Sequence, residues 1–476
     1  MSAVMFLIVL AISILMLMLL ITRVKLHPVC SLFIVSLFMG LFIGIFEPGF
    51  AFLEVIALIT AGFGSTLQGM GIPIMLGAIL AMGVQDTGAA KSIANYFIKL
   101  FNGKNLELAP SLTAYVVSIP VFGDITTILT SNIANVLSKR KRISMGKMAA
   151  FTQMGLNLTH AMVPPTPGIL AVAILLGADL GLVIGWGIII SIIAFFIVWI
   201  ILRKWTDHEF IEAIPEIVAE IEETSSNNVE DILIKEDNLP ATLASFMTIT
   251  IPVILIAGSS FINMIISPDS PLRVVTNIFG DKIVALSLGV IYTMWLAYSH
   301  KNSVRKSNAD STGNDPENFN EIIFSSWINR GLNVALEALL ITGMGGSFAK
   351  VIQSVPAISQ LSALISDSGV PGLLIPFLVS AIMVAAVGSM TTAGMTAAAV
   401  VGPMMLTLGL APVSTVLAIG AGTLMCNQVN NSGFWVTSKF FNLNFKQGLK
   451  YITLPDIAAG LTSFVLIFIL ATTGII

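Results

Sequence analysis

The chain has 476 residues, of which 56% are hydrophobic and only 10% charged, and its mean hydropathy is +0.93. That composition excludes an ordinary soluble globular protein and places the chain in the polytopic membrane class. A formal net charge of -3, with no basic tract interleaved with aromatics, gives no support for nucleic-acid binding; Cys30 and Cys426 lie far apart, beside apolar segments, which suits buried thiols better than a disulfide framework.

The N-terminus has neither a basic leader nor a small-residue cleavage pattern, so Val4 to Ile21 reads as a first span. Val29 to Phe46 is the second. A long element from Phe52 to Phe101, with an amphipathic or broken first part, is expected to follow. Leu108 to Leu137 begins and ends beside basic loops, which predicts a re-entrant hairpin entered from the cytoplasm with its apex near Pro120 to Thr127. Residues 148–178 hold three prolines, Pro164, Pro165 and Pro167, that cannot continue a helix, so a broken helix is predicted there, and Leu180 to Leu202 completes the first half. The Glu-rich stretch 205–239 reads as a cytoplasmic linker in which Ile211, Ile214, Val218 and Ile221 suggest a surface helix. The second half, 240–476, repeats the plan. It has spans at Leu243 to Ile265 and Ile283 to Ala297, an amphipathic stretch from Ile323 running to Ile352, a hairpin at 372–408, a broken helix at 412–435 and a last span at Ile457 to Ile475.

Lys and Arg fall at Arg23 and Lys25, Lys99 and Lys104, Lys139 to Lys147, Arg203 and Lys204, Lys301 to Lys306, and Lys439 to Lys450; these loops are assigned to the cytoplasm, with both termini outside. An odd number of crossings per half turns 240–476 upside down relative to 1–204. The expected fold is therefore an all-α polytopic membrane protein of two inverted-topology repeats, each with about five spans, a re-entrant hairpin and a broken helix, as in secondary transporters. Two echoes agree with this. GVQDTGAAK ending at Lys91 resembles GMGGSFAK ending at Lys350, and the Asp124–Pro164 and Ser389–Asn431 spacings are both about 40 residues.

Four polar clusters fall at membrane depth, two at hairpin tips and two at helix breaks. They nominate as substrate contacts Gly123 and Thr126; Asn157, Pro164, Pro165, Thr166 and Gly168; Gly388, Ser389 and Thr391; and Asn427, Asn430, Asn431 and Ser432. Open backbone amides at helix starts suit a carboxylate, and Asn, Ser and Thr suit hydroxyl groups. For any single cluster, local capping or packing is an equally good account. Asp124, His160 and Asp86 are nominated for proton coupling, because ionisable groups at this depth are costly and call for a reason. Neither a metal-ligand pattern nor a nucleophile motif is present, so no cofactor, metal site or enzymatic activity is expected. A channel and a membrane-embedded hydrolase are the remote alternatives.

PVFGD at Pro120 to Asp124, HAMVPPTPGILA at His160 to Ala171, LLGADLG at Leu175 to Gly181, VGSMTTAGMT at Val387 to Thr396 and NNSGFW at Asn430 to Trp435 together resemble the gluconate permease (GntP) family, in the family's order and over nearly the whole chain. The resemblance implies a multi-pass transporter of the bacterial cytoplasmic membrane that carries gluconate-like sugar acids, or related small hydroxy and amino acids, together with protons. It also implies the ion-transporter superfamily architecture, often dimeric and moving as an elevator. The family usually has His at Thr166, an Arg near Val384 and Asp at Asn431. These departures keep a smaller solute, such as D-serine, as the alternative substrate.

Overall fold

The computed structural model describes residues 3–46, 51–102, 104–120, 123–215, 233, 238–267, 269–313, 316–354, 371–406, 408–425, 427–428 and 431–476. They are mostly helical, with no strand among them, and seven of their helices are long and apolar enough to cross a membrane.

Capping residues set the helix starts. Two helices, α1 (Ala3–Thr22) and α2 (Pro28–Gly44), pack on each other, and Pro28 stands at the first position of α2, where a missing N–H costs nothing. The next, α3 (Phe52–Asp86), runs unbroken through Pro73. The expected break in the early part of this element is corrected: it comes at Thr87 and Gly88, where Gly88 takes φ +75, and the amphipathic piece is the later α4 (Ala89–Phe101), which buries Ile93, Ala94, Phe97 and Ile98. The first hairpin is α5 (Leu108–Val117) and α6 (Gly123–Lys141), with a turn at 118–120 after the first arm, and Thr126 already lies within α6. The first broken helix is α7 (Met145–Met162) and α8 (Pro167–Leu175), followed by α9 (Leu180–Leu202), whose start Asp179 caps by accepting from Leu182 N at 2.9 Å.

Beyond the linker come α10 (Thr242–Ile265), α11 (Pro271–Gly280), α12 (Lys282–Ser299), α13 (Lys301–Thr312) and α14 (Trp327–Gln353), the last entered through a π turn at Ile322–Ser326. The second hairpin is α15 (Leu374–Val387) and α16 (Met390–Val401), the second broken helix is α17 (Pro412–Thr423) and α18 (Ser432–Phe440), and α19 (Leu454–Thr472) ends the chain.

Small residues let α3 and α14 approach closely. A Cβ on Gly62 would lie 2.6 Å from Gly346 O, and Ser347 Oγ donates to Ile59 O at 2.8 Å. Asp86, at the far end of α3, meets Trp327 and Arg330 at the near end of α14, so the two long helices run antiparallel. The GVQDTGAAK and GMGGSFAK echo does not extend to conformation: the first crosses the α3–α4 break, whereas the second is helical throughout. Each hairpin packs by its first arm on a broken helix, α5 on α7 and α15 on α17. The second parts of the breaks then cross over, α8 packing on α16 and α18 on α6.

The surface helix expected at Ile211 and Ile214 is also corrected. That stretch is a non-helical strap laid on the α6–α7 corner: Met145 N donates to Ile211 O at 2.8 Å, Ile211 N to Ser144 Oγ at 3.0 Å and Ile214 N to Asn135 Oδ1 at 2.8 Å. Backbone satisfied by side chains of another element has no need of a helix ladder. Val218 and Ile221 lie outside the described residues.

Candidate functional site

The first break is built by its prolines. Helix α7 ends at Met162, Pro164 and Pro165 are buried in the turn, and Pro167 opens α8. The carbonyls freed at the end of α7 need donors in hydrocarbon. Thr166, buried at 3% exposure, provides one: its Oγ1 lies 3.1 Å from Val163 O and 3.3 Å from His160 O.

A cavity of about 80 Å³ opens beside this break, lined in part by His160, Thr166, Gly168, Thr391, Gly420 and Thr423. Gly168 is on the first turn of α8 and Thr391 on the first turn of α16. Two helix starts, one from a break and one from the opposite hairpin, therefore converge on a single space. The first amides of a helix have no partner within it, and the helix dipole puts positive partial charge there. Among the described residues, no Lys, Arg, Asp or Glu is in the lining.

The tips are arranged to allow this convergence. Gly388 adopts φ +83, a left-handed conformation that ends α15, and Ser389 then caps α16 by accepting from Thr392 N at 3.3 Å. Gly168 is held to hydrogen by space, since a Cβ there would lie 3.0 Å from Thr391 Oγ1 and 3.2 Å from Thr391 Cα. Gly123, at the start of α6, lies against the His160 ring; its Cβ would sit 3.1 Å from His160 Nε2. His160 Nδ1 is buried without a hydrogen-bond partner, as is Thr126 Oγ1. Asp124 lies in the first turn of α6, and its side chain is outside the described atoms.

Among the described residues of the second break, none lines the cavity. Asn431 caps α18, accepting from Gly433 N at 2.8 Å, and Ser432 begins that helix with its side chain outside the described atoms. Asn430 and Cys426 lie outside the described residues. Asn157 and Asn427, nominated as substrate contacts, instead converge on a carboxylate absent from the sequence-based candidates. Asn157 Nδ2 donates to Asp456 Oδ2 at 2.7 Å, and Asn427 Nδ2 donates to the same oxygen at 2.9 Å. The network continues through Gln153, whose Nε2 donates to Asn157 Oδ1 at 3.3 Å and whose Oε1 accepts from Thr437 Oγ1 at 2.8 Å. Asp456 follows Leu454 and Pro455 and reads as a loop residue before the last span. The signal that could have found it is the apolar run on both sides, beginning at Tyr451.

Asp86 stands apart from the cavity. Arg330 grips it at 2.7 and 3.3 Å, Trp327 Nε1 donates at 2.7 Å and Ser307 Oγ at 2.8 Å. Among the described residues no three His, Cys, Asp or Glu side chains gather as a metal site would require.

The geometry of breaks, hairpins and crossing pairs has relatives of known fold and sequence. The crystal structure of the Alcanivorax borkumensis YdaH transporter superposes with a TM-score of 0.56 at 15% identity, covering 94% of this chain and 99% of that one. The high-affinity gluconate transporter of Escherichia coli K12 is 26% identical over 93% of this chain and 94% of its own, and the D-serine transporter DsdX of the same strain is 27% identical over 97% of each. The model of the GntP family permease matches residues 5–473, and with that match spanning both hairpins and both breaks, this chain belongs to the GntP family of permeases, multi-pass membrane transport proteins.

Proposed function

We propose that the chain is a secondary transporter of the bacterial cytoplasmic membrane that carries gluconate or a related sugar acid with protons, by an elevator-type change of access. The observation that carries the reading is the convergence of the α8 and α16 starts on the cavity beside His160. A carboxylate accepts from the open amides at those starts, while Thr391 and Thr423 face its hydroxyl groups. Among the described residues, His160 is the nominated ionisable group in the cavity wall, so it responds to the substrate directly.

The crossing of α8 onto α16 and of α18 onto α6 supports the division into inverted repeats, 1–204 and 240–476, joined by a cytoplasmic linker with both termini outside. A homodimer is the assembly this reading implies. A permease for D-serine-like acids is the second reading. The small cavity, well under the roughly 300 Å³ of common small-molecule sites, and a Thr166 hydroxyl already directed at carbonyls favour a compact solute.

Uptake of labelled gluconate into proteoliposomes tests both. Saturable accumulation driven by an inward proton gradient is expected, and accumulation that survives its collapse would overturn the coupling. Stronger competition by D-serine than by unlabelled gluconate would move the assignment to the second reading.

A further inference from the structure

Asp456 is wholly buried, in the first turn of α19 and inside the candidate span 445–472. Both of its hydrogen bonds fall on one oxygen, Oδ2, from Asn157 and Asn427. Its other oxygen, Oδ1, is buried with no partner, and so is Asn427 Oδ1. Two amide donors on one oxygen do not compensate a full charge in a dry interior.

Among the described residues, the surroundings supply no cation. Helices α9, α15 and α17, which face α19, carry no ionisable side chain. Helix α7 carries Lys147 and His160, and the π turn before α19 carries Lys450 and Tyr451. Lys147 pairs with Asp207 at 3.0 Å, Lys450 pairs with Glu209 at 3.3 Å, and His160 lines the substrate cavity.

We propose that Asp456 binds the coupled proton, on Oδ1, with Asn157 and Asn427 holding the carboxyl group from the two halves of the carrier. The proposal rests on the symport reading above and names the group that reading lacks. The Asn427 amide already donates to Oδ2; with a proton on Oδ1, the Asp456 O–H donates back to Asn427 Oδ1, and both orphaned oxygens gain a partner at once. Only that O–H bond forms and breaks, the proton arriving from one side of the membrane and leaving to the other. Two open oxygens fall short of the roughly six that a hard cation prefers. Loss of the proton leaves a bare carboxylate between the second break and α7, so the proton-free carrier must rearrange before it can rest.

The test uses the full chain, wild type, Asp456→Asn and Asp456→Glu, in proteoliposomes and in detergent. Wild type should accumulate gluconate against its gradient when the proton gradient points inward. Asp456→Asn should keep gluconate exchange within about twofold while losing that accumulation and its pH dependence, and Asp456→Glu should keep accumulation with a displaced pH profile. In infrared difference spectra taken between acid and alkaline pH, a carboxylic-acid C=O band should be present in wild type and missing from Asp456→Asn. Proton-driven accumulation by Asp456→Asn overturns the proposal, as does loss of exchange in a variant that melts as wild type does. Accumulation driven by sodium alone and abolished in Asp456→Asn reassigns the site to an alkali cation and also overturns it. The infrared band needs no substrate, so its absence defeats this proposal, whereas its presence without gluconate exchange defeats only the substrate reading.

Discussion

Thr166→Val separates two accounts of the first break. Valine keeps the β-branched shape at a position with 3% exposure, so packing and the extended backbone (φ -55, ψ 137) are preserved and only the hydroxyl is lost. That hydroxyl reaches Val163 O at 3.1 Å and His160 O at 3.3 Å, carbonyls that the following prolines leave without helical donors. Removing the donor to a buried carbonyl costs about 1–3 kcal/mol, and the two contacts share one proton, so the loss is counted once. The expected outcome is a lower unfolding midpoint in detergent, with ligand affinity measured by equilibrium binding changed less than about threefold, or about 0.65 kcal/mol. If affinity instead falls tenfold or more while stability is unchanged, the hydroxyl serves the substrate and the reasoning about the break is refuted.

Other substitutions test the remaining placements. Gly168→Val puts side-chain carbon against Thr391, 3.0 Å from its Oγ1 at Cβ alone, and overpacking of this kind costs about 1–3 kcal/mol; uptake should fall at least tenfold in a protein that still inserts, as judged by surface expression. Asp86→Asn should destabilise the α3–α14 pair by weakening the contact with Arg330 yet leave proton-driven accumulation in place, and its loss with unchanged stability would return Asp86 to a coupling role. Glu209, which lies outside the spans, accepts from Gln447 and Lys450, and these contacts hold its carboxyl group below its ordinary range. A lowered value stabilises the fold above the ordinary carboxylate range and loses that contribution as pH falls through the lowered one. The group is 40% exposed, so the effect is at most about 0.2–1 kcal/mol. Amide protection at Ile211 and Ile214, measured relative to the intrinsic exchange rate at each pH, should fall modestly in acid, and Glu209→Gln should remove that dependence.

What the chain reveals by itself depends on how each feature is held. Pro164, Pro165 and Pro167 break a helix by covalent structure, so the first break is visible in the residues, as are the starts at Pro28 and Pro412 and the cap at Asp179. The hairpins are visible because basic loops flank the first and a Gly–Ser pair marks the second. The strap at Ile211 is not, because its partners Ser144 and Asn135 are about 70–80 positions away and its apolar spacing imitates a helix. Asn157 and Asn427 were legible as polar residues at depth, but what they bind was not. Asp456 lies 299 positions from Asn157, and no spacing rule spans that distance.

The two breaks therefore differ in kind. The first is imposed by its own prolines. The second contains none; Asn427 is fastened twice, by its side chain to Asp456 of α19 at 2.9 Å and by its carbonyl, which accepts from Thr453 Oγ1, at the end of the π turn before α19, at 2.6 Å. Asn427 is thus held by contacts from outside the break. Thr453→Val removes one of them and should loosen the second break while leaving the first as it is. In hydrogen-exchange mass spectrometry, peptides covering 424–433 should exchange faster by about tenfold, the equivalent of about 1.4 kcal/mol, and peptides covering 160–168 should not change. Equal acceleration at both breaks would mean that they share one scaffold, and the distinction between a covalent and a borrowed break would fail. The same dependence places Asp456 where occupancy by a proton can be felt: it touches the break that has no prolines to hold its shape.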